Sequence, residues 1–145
     1  MMDRALDLAR EAGAMGEVPV GAVVYRGEDV IASAHNRREI DRDPSAHAEH
    51  LAIVEASRRL GDWRLVDCSL AVTLEPCPMC AGLIVNARLP RVVYGATDPK
   101  AGAVETLYRL LNDERLNHRA EVIGGVRADA SGDLLRTFFA SLRRS

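Results

Sequence analysis

His47-Ala48-Glu49 and Pro76-Cys77-Pro78-Met79-Cys80 are the stretches of this chain whose residue types and spacing can do chemistry. A neutral imidazole and two thiolates are good zinc ligands, and His47, Cys77 and Cys80 make three. Structural zinc sites normally close with four protein ligands, whereas catalytic sites use three and keep a position for water. A metal in such a site draws the pKa of that water towards neutrality and so generates a hydroxide nucleophile. Glu49, two residues from His47, is the carboxylate placed to shuttle protons, and for that role it must not itself be a ligand. Mixed thiolate and imidazole ligation favours zinc over other metals.

Blander readings of the same residues exist. Cys77 and Cys80 alone would make a redox C-x-x-C pair. A closed structural zinc would recruit Cys68, His35, His50 or His118 as a fourth ligand. The co-occurrence of His47, Glu49 and both cysteines outweighs these. Cys68 reads as a small hydrophobe in or near a strand, and Met79 as packing. His50 is assigned no chemistry.

The elements that must hold these residues follow from periodicity. Residues 3–13 have the spacing of a short amphipathic helix that stops at Gly13 or Gly16. Residues 18–25 and 30–34 read as a β-hairpin with Gly27 in its turn. Residues 36–44 form a polar loop. A helix begins near Ser45, with Asp43 or Ser45 as its cap, and stops at Gly61. A buried strand spans 65–74, a helix 79–87 and a strand 91–95. Residues 104–112 look helical and 121–126 strand-like. Leu134, Leu135, Phe138, Phe139 and Leu142 mark an amphipathic last helix. Strands alternating with helices after the first hairpin predict a three-layer α/β domain with a mixed sheet over residues 1–145. Both candidate segments follow strand-to-helix transitions, so His47, Cys77 and Cys80 are expected to converge at helix N-termini, where the dipole favours thiolate.

Composition narrows the class. A chain of 145 residues with 48% hydrophobic and 28% charged residues is an ordinary globular domain. No apolar run approaches the ~18 residues of a membrane helix. The first residues are already charged at Asp3, Arg4 and Asp7, which argues against a signal peptide and for a cytoplasmic protein. A net charge of -2 excludes a strongly basic nucleic-acid binder, though not a local basic patch. Residues 35–44 set Arg37, Arg38 and Arg42 against Glu39, Asp41 and Asp43. Residues 136–145 carry Arg136, Arg143 and Arg144 without an acid, which fits either an RNA contact or a helix terminus complementing its dipole. Lys100 is the only lysine among nineteen basic residues.

H-x-E followed by P-C-x-x-C matches the signature of zinc-dependent deaminases. The likeness extends beyond it, through Glu17-Val18-Pro19-Val20-Gly21-Ala22-Val23, Asn36-Arg37, Asp43-Pro44-Ser45-Ala46, Thr73-Leu74-Glu75 and Arg91-Val92-Val93-Tyr94-Gly95-Ala96. It continues in Asp98, Lys100-Ala101-Gly102-Ala103, Leu116-Asn117-His118-Arg119, Gly124-Gly125-Val126 and Phe138-Phe139. On these residues the chain resembles the bacterial tRNA-specific adenosine deaminases of the cytidine deaminase-like superfamily. The metal motif is shared with deaminases of cytidine, deoxycytidylate and guanine; the later segments favour the tRNA enzymes.

The resemblance implies a three-layer α/β/α fold with a five-stranded mixed sheet and a homodimer with its active site near the interface. It implies one Zn2+ per subunit and hydrolytic conversion of the wobble adenosine of a tRNA anticodon, typically of an arginine tRNA, to inosine. Glu49 would be the proton shuttle and Asn36 would hydrogen-bond the purine, although a turn asparagine after a strand is its plainer reading. Ala48 and Glu75 would line the site, with main-chain groups of Ala48 and Cys77 near the metal. Lys100 and Arg119 would contact phosphate in the anticodon stem-loop. The chain departs from the family at Glu105-Thr106, where relatives often carry Gly-Ser. The rival readings are a deaminase of a free base or nucleoside such as guanine or cytidine, and a zinc-stabilised binding module with four ligands and a dispensable Glu49.

Overall fold

The computed structural model describes residues 1–144. Helix α1 (Met2–Ala14) precedes the hairpin of β1 (Gly21–Arg26) and β2 (Asp29–His35). A short α2 (Arg38–Asp41) and a long α3 (Ala48–Leu60) lead to β3 (Ser69–Leu74). Then come α4 (Pro78–Asn86), β4 (Arg91–Ala96), a 3-10 turn at Leu110–Asn112, β5 (Glu121–Ile123) and α5 (Ala128–Arg144). The strands form one sheet in the order β2-β1-β3-β4-β5. Strand β1 runs antiparallel to both β2 and β3, while β3, β4 and β5 are parallel, so the sheet is mixed as expected.

Side-chain alternation divides the core between the two faces. Ala22, Val24, Leu70, Val72, Val92 and Tyr94 pack with Ala52, Ile53 and Ala56 of α3 and Ala81 and Ile84 of α4. Val23, Ala71 and Val93 pack with Ala5 and Leu6 of α1 and, at the margin, Leu134 of α5. Both faces are covered, which is why the strands read as nearly continuous apolar runs. Truncating Ile53, buried between α3 and the sheet, to Ala would cost about 2–5 kcal/mol. Helix α1 lies so close on β1 that a Cβ at Gly21 would sit 2.0 Å from the Ala5 carbonyl oxygen.

Several boundaries differ from the sequence reading. Strand β1 starts at Gly21, not at residue 18, because the chain before it is held by non-ladder bonds: the Val20 amide donates to the Val18 carbonyl. The polar loop 36–44 contains α2, whose amides at Glu39 and Ile40 donate to the buried carboxylate of Glu17. Neither Asp43 nor Ser45 caps α3; Asp43 accepts from the Ser45 amide and hydroxyl instead, and His47 occupies the N-cap. Residues 104–109 are not helical, and the strand expected over 121–126 stops at Ile123.

Candidate active site

Two helix starts make the site. His47 is the N-cap of α3 and Cys77 the N-cap of α4, and neither side chain caps its own helix. Pro78 sits at N1 of α4, where its missing N–H costs nothing and its fixed φ suits a helix start. The hydrogen-bonded turn that follows brings Cys80 round to the same side as Cys77. In an open α/β sheet the carboxyl ends of parallel strands, with the helix starts that follow them, form the usual crevice. Here that end of β3 leads through Glu75 and Pro76 directly into Cys77.

Cys77 Sγ lies 3.5 Å and Cys80 Sγ 3.6 Å from His47 Nδ1. The three donor atoms all lie within 4.8 Å of one another. Tetrahedral coordination with Zn–N and Zn–S bonds of ordinary length sets such N···S edges at about 3.6 Å. The donor set therefore fits zinc in both chemistry and spacing. No fourth protein donor joins the cluster among the described residues. His118 is engaged at the Leu89 carbonyl and His35 at the Asn36 carbonyl. Cys68 is fully buried in the core, as its reading as a small hydrophobe anticipates.

Glu49 is 4% exposed and stands in the first turn of α3, outside the donor cluster. Burial pushes its carboxyl up to about 7, against the pull of the neighbouring His47. The two cysteines divide in the opposite sense. A hydrogen bond from Cys80 holds Cys77 down at about 4, with His47 adding to the effect. Cys80 is raised by that same bond and by burial. The Cys77 thiolate in turn raises His47. This is a strongly perturbed group of titratable residues in a cleft, the electrostatic mark of a working site.

The cleft is a cavity of about 220 Å³ lined by residues that include Asn36, Arg38, His47, Ala48, Glu49, Glu75, Cys77, Asp98 and Ala101. Asn36 Nδ2 donates to the Val18 carbonyl and its Oδ1 accepts from the Arg38 amide. Each end of the amide keeps one further bonding position. Seven of the sequence-selected residues thus come together in the donor cluster and the cavity lining: His47, Glu49, Cys77, Cys80, Asn36, Ala48 and Glu75. Lys100 and Arg119 are exposed and lie outside the cavity lining; Arg119 Nη2 donates to the Glu114 carbonyl. In the C-terminal stretch 136–145, Arg136 is paired with Asp133, while Arg143 and Arg144 are exposed; Ser145 lies outside the described residues. Met79, expected to pack, is 39% exposed. Proline at N1 and cysteines at N-cap and N3 turn the intervening side chain outward.

Sequence reasoning missed the cavity roles of Arg38 and Asp98. It placed Glu75 at the site but not the amides that meet it, and it missed the buried Glu17; the two are 2% and 1% exposed. Their buried carboxylates meet backbone amides, and a run of amides carries no side-chain signal.

A family model, the MafB19-like deaminases, matches residues 1–143. A tRNA-specific adenosine deaminase of Bacillus subtilis (strain 168) is 50% identical over 143 residues, covering 99% of this chain and 89% of that protein. One from Streptococcus pyogenes serotype M1 is 44% identical over 138 residues, covering 95% and 81%. A solved structure from work on A-to-I editing by tRNA:A34 deaminases superposes with a TM-score of 0.89 at 44% identity, over 92% of this chain and 97% of that one. A guanine deaminase from Nitrosomonas europaea superposes with a TM-score of 0.84 at 26% identity, over 96% and 82%. Fold, donor cluster and relatives agree: this chain belongs to the MafB19-like deaminase family and groups with its tRNA-specific adenosine deaminases.

Proposed function

We propose that this chain hydrolytically deaminates adenosine to inosine at the wobble position of a tRNA anticodon, that of an arginine tRNA being the expected substrate. The observation that supports this most directly is a buried, unliganded Glu49 beside a three-donor His47, Cys77, Cys80 cluster. The naming of the Bacillus and Streptococcus relatives supplies the substrate class.

His47, Cys77 and Cys80 would hold one Zn2+ per subunit. Bound there, zinc supplies the Lewis acidity that makes water a nucleophile near neutral pH. Glu49 takes a proton from the water that adds at C6 of adenine. It passes that proton to the ring nitrogen, then moves the proton of the hydroxyl added at C6 to the departing amine, so that the C–N bond breaks, ammonia leaves and the base remains as hypoxanthine. Burial, which disfavours the charged form of this carboxyl, equips it to return protons as well as accept them. Asn36, which lines the same cavity with a donor and an acceptor still free, orients the purine. An anticodon loop is already single-stranded, so the base enters the cavity at less cost than from a duplex. Lys100 and Arg119, both exposed, would meet phosphates outside the cavity. The enzyme would act as a cytoplasmic homodimer. No helix among the described residues is long and apolar enough to cross a membrane.

The test is inosine formation in an anticodon stem-loop carrying a wobble adenosine, with zinc-loaded wild type beside Glu49→Ala. Inosine from the wild type alone is the expected result. Folded, zinc-loaded wild type that makes none overturns the proposal and directs the next assay to free guanine and cytidine.

A further inference from the structure

The buried carboxylate of Glu75 is surrounded by donors from a single loop. Its Oε1 accepts from the Asp98 amide at 3.1 Å and from the Thr106 hydroxyl. Its Oε2 accepts from the amides of Val104, Glu105 and Thr106 at 3.2, 2.8 and 2.9 Å. No ion pair involves Glu75 among the described residues, so these five bonds are what answers its charge. The loop is pressed hard onto it: a Cβ at Gly102 would lie 2.5 Å from the carboxyl carbon. A second tie fixes the same segment, since the Tyr94 hydroxyl donates to the Glu105 carboxylate at 2.5 Å. Tyr94 reaches it by passing under Gly124, where a Cβ would come within 2.5 Å of the ring. The loop so held carries Asp98 and Ala101, which line the cavity together with Asn36 and Glu49.

We propose that Glu75 is a positioning residue that clamps the loop 98–106 as the substrate-facing wall of the cavity, so that nucleobase binding depends on its carboxylate. The Glu105-Thr106 pair, where relatives often have Gly-Ser, then keeps the hydroxyl donor to Glu75 and adds the tie to Tyr94. The kinetic part of this inference rests on the proposed deamination; the structural part does not.

Lys100 lies in the clamped loop and is the only lysine of the chain. A lysine-specific endoprotease therefore has one cleavage site, after Lys100, and its rate reads loop release directly. Glu75→Gln keeps the shape but turns one acceptor into a donor facing N–H groups, an unmet-bond cost that shifts a local opening equilibrium about ten-fold or more. Cleavage of zinc-loaded Glu75→Gln is expected to be about ten-fold faster than wild type at unchanged zinc content. KM for the stem-loop should rise about ten-fold while kcat stays within about three-fold. Gly102→Ala and Thr106→Val reach the clamp from the loop side and should move cleavage and KM in the same direction. A folded Glu75→Gln with wild-type cleavage and KM overturns the proposal. If that variant does not fold, wild-type cleavage in both Gly102→Ala and Thr106→Val overturns it. Faster cleavage in the variants alongside a wild type that forms no inosine upholds the clamp and overturns the deamination reading instead.

Discussion

His47 Nδ1 and Cys77 Sγ lie 3.5 Å apart across thirty residues of sequence, each at the N-cap of a different helix. Neither atom is spent on capping, so both are free for a metal. Replacing Cys77 with Ser removes a thiolate and leaves two protein donors. Zinc affinity is expected to fall by more than about 100-fold, beyond what loss of a supporting outer contact costs. Zinc measured by elemental analysis after dialysis should drop from one per chain to near none. Full retention would contradict the three-donor site.

Glu49→Gln separates chemistry from metal binding. The variant should keep its zinc and lose about 10²–10⁴-fold in turnover. In the metal-free protein the same change should stabilise the fold. The folded-state carboxyl is raised to about 7, above its unfolded value, so wild type loses stability as pH rises from about 4.3 to about 7 and does not regain it above. The difference in melting temperature between variant and wild type should therefore open across that window and then level off. A difference independent of pH would remove the buried carboxyl as its cause.

Gly21→Ala tests the packing behind the site. The new methyl would collide with the Ala5 carbonyl and with α1 backbone at Ala9, neither of which can yield without moving the helix. A loss of about 3 kcal/mol or more is expected in urea unfolding. Near-wild-type stability would show that α1 can ride outward at little cost.

Lys100→Ala and Arg119→Ala address the RNA. If each side chain neutralises one phosphate, each substitution should lower the slope of log affinity against log salt by about 0.7 and weaken all stem-loops alike. Unchanged slopes would place the phosphate contacts elsewhere.

The helix start at Cys77 was legible because residues of metal-ligating type, Pro78 and an apolar run all point to the same boundary. The sheet was legible because alternation and two covered faces leave long apolar stretches. The segment 104–112 was not. Leu107, Leu110 and Leu111 have helical spacing, yet the amides of Val104, Glu105 and Thr106 donate to the carboxylate of Glu75, twenty-nine or more residues away. The amides of Leu107 and Tyr108 both turn to the Gly102 carbonyl. With its first amides spent on a distant side chain, the segment does not settle into a helix, and local periodicity carries no trace of that. The start of α3 misled for a related reason: Asp43 closes a turn with Ser45 before the helix begins.

The N-caps of α3 and α4 also bear on how the chain folds. An ion shared by His47, Cys77 and Cys80 is a removable cross-link, closing a loop that contains all of α3 and β3. A covalent bridge of that span restricts the unfolded chain by about 3–4 kcal/mol. Metal supply would then set the protein's resistance to unfolding, and so its lifetime, before any substrate is met.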